Sequence, residues 1–212
     1  MTAGVYDPDC RRCVRLASFL DAVKADHPDY FCRPVPSFGD PAARLLVVGL
    51  APGMHGANAT GRPFTGDHAG ILLYRTLHKF GFASAPQSLA ADDDLRLIGC
   101  RITNAVKCLP PQNKPVGAEI KACRDFLARE LAVFGAGSVV LALGSIAHNS
   151  VIAACGLRQG DARFAHAAEH GLPGGATLLD SYHCSRYNTQ TRRLTDEMFE
   201  QVFARARSLL SA

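Results

Sequence analysis

The stretch from Gly49 to Asp67, Gly-Leu-Ala-Pro-Gly-Met-His-Gly-Ala-Asn-Ala-Thr-Gly-Arg-Pro-Phe-Thr-Gly-Asp, constrains this chain more than any other. It follows the apolar run 45–48 and precedes a helix-like segment at 67–80. A short continuous apolar run fits a strand buried on both faces of a parallel sheet. A loop leaving the carboxyl end of such a strand is where open α/β sheets place their ligands. Glycines let that loop bend and let a flat or charged ligand come close to main-chain N–H groups. The chemistry it carries is sparse: His55, Asn58, Arg62, Asp67 and one ring, Phe64. Asp67 also suits the N-cap of the following helix, a role compatible with a place in a site.

Along the rest of the chain, apolar residues recur in two periods. Leu16, Phe19, Leu20 and Val23 predict an amphipathic helix over 10–26, ending before Pro28. On that helix Cys10 and Cys13 share one face, so both sulfurs could reach one metal. Residues 97–106 form a second strand that runs into a proline-rich, irregular segment at 107–115. A helix follows over 116–134, carrying Cys123. A third strand at 138–143, a helix at 145–155, a glycine-rich stretch at 156–175, a fourth strand at 176–179 and a closing helix at 191–210 complete the order. Residues 83–94 read as a polar surface connection. Alternating strands and helices predict a three-layer αβα fold around a mostly parallel four-stranded sheet. At 212 residues and 48% hydrophobic, a single domain over 1–212 is expected.

No apolar run approaches the ~18 residues a membrane span needs, and the first residues carry no secretory leader pattern. A soluble cytoplasmic protein is expected. The formal charge of +4 is compatible with a polyanionic partner but does not announce one. Arg186 and Arg192-Arg193 form the more suggestive basic group. Eight cysteines in a reducing compartment argue for metal binding or burial rather than a disulfide framework. Soft thiolates suit iron–sulfur or zinc, and the residues by themselves leave both open.

Competing motifs fail. The segment 56–63 approaches a phosphate-binding P-loop, but Arg62 and Pro63 replace its Lys and Ser/Thr. G-x-G-x-x-G and G-x-S-x-G are absent, and no histidine precedes Cys10 as a zinc deaminase would require.

Three segments together carry a resemblance. Gly49-Leu-Ala-Pro with His55-Gly-Ala-Asn and Thr60-Gly-Arg-Pro-Phe-Thr-Gly-Asp resembles motif one of the uracil-DNA glycosylase superfamily, most closely its family 5, or type b, branch. Ile102-Thr-Asn-Ala-Val-Lys-Cys resembles the segment bearing a base-recognising asparagine and a cluster cysteine. Tyr182-His-Cys-Ser-Arg-Tyr-Asn resembles the closing His-Pro-Ser motif, with Cys184 where proline is usual. That departure touches backbone stiffness, not the identity of His183.

The resemblance implies a DNA-repair enzyme that flips uracil, and other deaminated bases, out of DNA and hydrolyses the N-glycosidic bond. It implies Asp67 and His183 as catalytic residues, with Ala51, Gly53, His55, Phe64 and Asn104 around the base. Asn58, Arg62, Ser185, Arg186 and Tyr187 would meet the DNA. Cys10, Cys13, Cys108 and Cys123 would hold a [4Fe-4S] cluster. In the best-known branch an aspartate precedes the motif's proline, and here that position is Ala51, which turns attention to Asp67. A monomer acting on the nucleoid is expected. The alternatives are a catalytically silent iron–sulfur nucleic-acid-binding module and a nucleotide-binding enzyme using the glycine loop for phosphate.

Overall fold

The computed structural model describes residues 6–211. Its strands are β1 (Phe38–Gly39), β2 (Leu45–Gly49), β3 (Cys100–Asn104), β4 (Val139–Leu143), β5 (Glu169–Gly171) and β6 (Thr177–Ser181). They form one sheet in the order β1-β3-β2-β4-β6-β5. The inner four are mutually parallel, and the two short edge strands run antiparallel to their neighbours. The four-stranded parallel sheet expected from sequence is therefore the interior of a six-stranded one. Two- and three-residue edges carry too little periodicity to be read from sequence, and one lies inside the glycine-rich stretch.

The helices are α1 (Val14–Asp26), α2 (Ala57–Thr60), α3 (His68–Lys79), α4 (Gly117–Leu131), α5 (Ser145–Ala154), α6 (Arg186–Gln190) and α7 (Asp196–Ser211). Every residue of β2 is buried, and alternate side chains serve opposite faces. Leu45 and Val47 join Leu73 and Leu77 of α3 and Phe199 and Phe203 of α7. Leu46 and Val48 join Leu127 of α4 and Val151 and Ile152 of α5. This double burial is why the strand is a continuous apolar run. At roughly 1.5–3 kcal/mol per buried large aliphatic side chain, it fixes β2 at the sheet centre. No helix among the described residues is long and apolar enough to cross a membrane.

Two helix boundaries differ from expectation. The helix predicted over 10–26 begins at Val14, with Cys13 in an extended N-cap conformation and Cys10 before it. Arg11, in the segment before the helix, pairs with the exposed Asp21 of α1. The closing helix predicted over 191–210 begins only at Asp196, as α7, because Arg192 takes the left-handed region at φ 56°; the short α6 lies before the predicted range. Residues 83–94 are more than a surface connection, because Ala83 and Leu97 pair across it and Phe82 and Leu95 are buried.

The parallel strands all point the same way, so Gly49 and Asn104 stand side by side at one edge, as do Leu143 and Ser181. The glycine-rich loop, the segment after Asn104 and the segment after Ser181 all leave from that edge.

Candidate active site and cysteine pocket

The loop after β2 is held by its own backbone: Gly53 O accepts from Gly56 N at 3.3 Å and from Asn58 N at 3.0 Å, turning the chain into α2. It returns through Phe64, in the left-handed region at φ 55°, to Asp67 at the N-cap of α3. Asp67 Oδ1 accepts from Gly70 N at 2.9 Å. Gly56 makes room for this carboxylate, since a Cβ there would lie 2.7 Å from Asp67 Oδ2. Gly49 does the same at the strand end, where a Cβ would meet Asn104 Oδ1 at 2.4 Å and the Phe64 ring at 2.6 Å. These close approaches explain two of the glycines in physical terms.

An open pocket of about 260 Å³ results. Ala51, Gly53, Phe64, Asp67, Asn104, His183, Ser185 and Arg186, all singled out from sequence, line it. The sequence reading missed Asn113 and His68, which also line it. Asn113 sits just past the proline pair with φ 56°, and the Pro-Pro-Gln-Asn turn was the available signal. His68 Nε2 lies 3.1 Å from Thr189 Oγ1, tying the start of α3 to α6.

Electrostatics differentiates the polar groups. Burial pushes the Asp67 carboxyl above its ordinary value, while the Gly70 and Ala69 N–H groups pull it back. Burial holds the His183 imidazole down at about 4, so the ring is neutral at pH 7. Its ring stacks on Phe64, and its Nδ1 is enclosed without a partner. Asn104 is buried with Oδ1 likewise unpartnered. A buried amide oxygen without a hydrogen bond is costly unless a ligand completes it.

The structure corrects other assignments. Arg62 is buried, so it does not face DNA. Its guanidinium pairs with Asp93 at 2.5 Å, donates to Ser88 Oγ and Ala91 O, and lies over the Phe38 ring. Against the cost of burial, Arg62 and the N–H groups of Leu89, Ala90 and Leu95 hold the Asp93 carboxyl at about 2. Asn58 is fully buried, with Nδ2 at 3.4 Å from Cys32 Sγ, and is equally out of reach of DNA. His55 does not line the pocket; its ring lies outside, 2.8 Å from the Tyr30 hydroxyl. Tyr187 is 70% exposed and stands beside the pocket rather than in it.

Cys184 is fully buried in the core and its thiol is pushed up by burial. Other groups fix the loop where proline is usual: Asn188 Nδ2 donates to His183 O at 2.8 Å, and Ser185 Oγ caps α6.

Away from this pocket, Cys10, Cys13, Cys108 and Cys123 line one cavity with Leu16, Val106 and Phe126. The two cavities share no lining residue. Cys108 is pushed up to about 12, first by burial and then by Cys123, Cys10 and Cys13, so its own thiol favours the thiolate only with a cation beside it. Lys107 N donates to Cys123 Sγ at 3.3 Å. Between this cavity and Asn104, Lys107 Nζ and Thr103 Oγ1 both reach Glu130 Oε2 at 2.8 Å, a buried network that pins the segment joining the two sites.

The family model described as the Uracil DNA glycosylase superfamily matches residues 36–207. This chain belongs to that superfamily. Among its relatives, the Type-5 uracil-DNA glycosylase of Thermus thermophilus is 49% identical over 205 residues, covering 94% of this chain and 93% of that protein. Those of Mycobacterium tuberculosis and Pyrobaculum aerophilum are each 40% identical, covering 94% and 93% of this chain and 78% and 88% of theirs. Type-4 members match over about half the chain, as with Archaeoglobus fulgidus at 35% identity over 53% of it. The superfamily's three-layer α/β architecture agrees with the observed sheet and its flanking helices.

Proposed function

We propose that this protein is a monofunctional uracil-DNA glycosylase of the family 5 type, which flips uracil from DNA and hydrolyses its N-glycosidic bond to leave an abasic site. The observation that carries the reading is the buried, unpartnered Oδ1 of Asn104 in the pocket wall beside Phe64 and His183. An amide offers an acceptor and donors side by side, which complements the N3–H and O4 edge of uracil and mismatches the N3 acceptor and amino group of cytosine.

Extrusion costs a few kcal/mol of lost stacking and pairing, recovered by stacking on Phe64 and by the Asn104 hydrogen bonds. As the C1′–N1 bond breaks, charge separates into an oxocarbenium-like sugar and a uracil anion. Asp67 holds a carboxylate on one side of the pocket, where it orients water toward C1′ and stabilises the cation. His183, neutral because burial depresses it, donates a hydrogen bond to the leaving base without surrendering its proton. The water oxygen bonds to C1′ and its proton leaves through Asp67.

The four cysteines would hold a [4Fe-4S] cluster that serves structure, joining the segment before α1 to the segment after β3 and to α4. Soft thiolates gathered around one cavity suit such a cluster, and the likeness to the family 5 branch favours it over zinc. With Ala51 where the best-known branch has an acid, the pocket makes fewer uracil-specific contacts, and other deaminated bases are substrates too. The protein acts as a monomer in the cytoplasm, on the nucleoid.

Release of free uracil from a uracil-containing oligonucleotide tests the activity, and its absence from cluster-loaded protein would favour a silent binding module. Strict rejection of hypoxanthine, xanthine and hydroxymethyluracil would refute the breadth.

A further inference from the structure

A second group of ligating side chains lies where α5 meets β5 and β6, distinct from both cavities. His148 on α5, His170 on β5 and Asp180 on β6 place one nitrogen or oxygen each within 4.8 Å of one another. His148 and Asp180 are fully buried, and the His170 side chain is 19% exposed.

The hydrogen bonding around His148 fixes its protons. Its Nε2 lies 3.1 Å from the Ala162 carbonyl, which can only accept, so Nε2 carries the ring proton. In the neutral ring, Nδ1 then presents a lone pair to Asp180 Oδ1 at 2.8 Å. Two acceptors that close in a dry interior repel unless a cation lies between them. Asp180 Oδ2 and His170 Nε2 stand 3.4 Å apart, both buried and both without a hydrogen-bond partner. A shared proton on His148 would satisfy Oδ1, and a proton on His170 Nε2 would face Oδ2 only across a 3.4 Å contact outside hydrogen-bond geometry. A metal ion would engage all three.

We infer that His148, His170 and Asp180 form a binding site for a divalent first-row transition metal, of which Zn²⁺ is the type. Imidazole nitrogens and a carboxylate suit such ions. Bonds of ~2.0–2.2 Å put neighbouring ligands about 2.8–3.6 Å apart between right-angle and tetrahedral geometry, a range that takes in the 2.8 Å and 3.4 Å separations of the two histidine nitrogens from Asp180. The His148 bond to a backbone carbonyl is the orienting contact that a ligating histidine makes through its second nitrogen. Water completes the coordination from the exposed side of His170. The ion would tie the β5 edge and α5 to β6, three residues ahead of His183.

The test uses the full-length protein with its cysteine site already loaded, titrated anaerobically with Co²⁺ and then Zn²⁺. One equivalent of Co²⁺ should bind with visible d–d absorption and no near-ultraviolet thiolate-to-cobalt charge transfer, which separates this site from the cysteines. His170→Gln, on a short edge strand, should keep the parent far-ultraviolet circular dichroism while lowering Co²⁺ affinity at least tenfold. Zn²⁺ should raise the melting temperature of the parent and not of the variant. No uptake by the parent, uptake only with thiolate charge transfer, or uptake unchanged by His170→Gln would each overturn the site. The parent spectrum decides by itself if the variant does not fold.

Discussion

His183 and Phe64 form an offset stack, ring centroids 6.0 Å apart and planes 27° from parallel, although one follows the last parallel strand and the other the first. Phe64 reaches this position through a left-handed backbone and a gap left by Gly49. Three strand ends thereby converge on one pocket.

Asp67→Asn keeps an oxygen for the Gly70 N–H, so α3 remains capped while the charge is lost. Single-turnover uracil release should fall about a hundredfold or more, equivalent to ~2.7 kcal/mol of barrier, with far less change in affinity for uracil-containing DNA. A variant with near-parental rates would leave Asp67 only its capping role.

The depressed imidazole of His183 makes stability pH-dependent. Its ordinary value is 6.5 and its folded value about 4. As pH falls below 6.5, the unfolded chain binds a proton that the folded chain refuses, so stability that is complete above 6.5 is lost progressively down to about 4. At ~1.4 kcal/mol per pH unit, discounted for the ring edge open to the pocket, the loss is roughly 1–3 kcal/mol. Resistance to urea should fall more between pH 7 and 4.5 for the parent than for His183→Asn, the window lying between the ordinary 6.5 and the folded value of about 4. Equal declines would show that the ring is not neutral in the fold.

Arg62→Ala should cost stability rather than DNA binding, because its guanidinium is enclosed by Asp93, Ser88, Ala91 O and Phe38. Stranding a partner of a buried pair costs about 3–5 kcal/mol, less here because Asp93 keeps some exposure. The melting temperature should drop, and the salt dependence of DNA affinity should be unchanged. Arg186→Ala should do the reverse, lowering the salt slope by about one phosphate contact.

Protein purified in air should be brown, with iron and sulfide in the amounts a cubane cluster requires. Cys108→Ala should lose the colour and loosen α1, whose Leu16, Leu20 and Val23 pack on the cysteine cavity, visible as a lower melting temperature. A colourless parent holding stoichiometric zinc would refute the cluster.

Tyr187 is exposed next to the pocket-lining Arg186, and a wedge role in the gap left by a flipped nucleotide can be tested there. Tyr187→Ala should reduce activity on duplex more than on single-stranded substrate. Equal losses would argue against a wedge.

Much of the pocket was legible because its residues come from three short segments that leave parallel strands, and parallel strands in one sheet end at one edge. Asp67, Asn104 and His183 needed no more than that. The assignments that failed did so through burial. Arg62 and Asn58 look like DNA contacts in a polar loop, yet Asp93 and Cys32, remote in sequence, enclose them. Cys10 and Cys13 do not share a helix face, because α1 begins only at Val14 with Cys13 as its extended N-cap, and still both line the same cavity as Cys108 and Cys123.

The sequence by itself determined what is local: the doubly buried strand at 45–49, the glycines that admit Asp67 and Asn104, and the order of the four cysteines. Periodicity and steric permission act over a few residues, so they survive in a linear string. Only the tertiary structure decided which polar groups are free and which are enclosed, that His183 is neutral against Phe64, and that His148, His170 and Asp180 converge. Each of those depends on desolvation by segments distant along the chain, and desolvation exists only once the sheet and its helices have closed around the group.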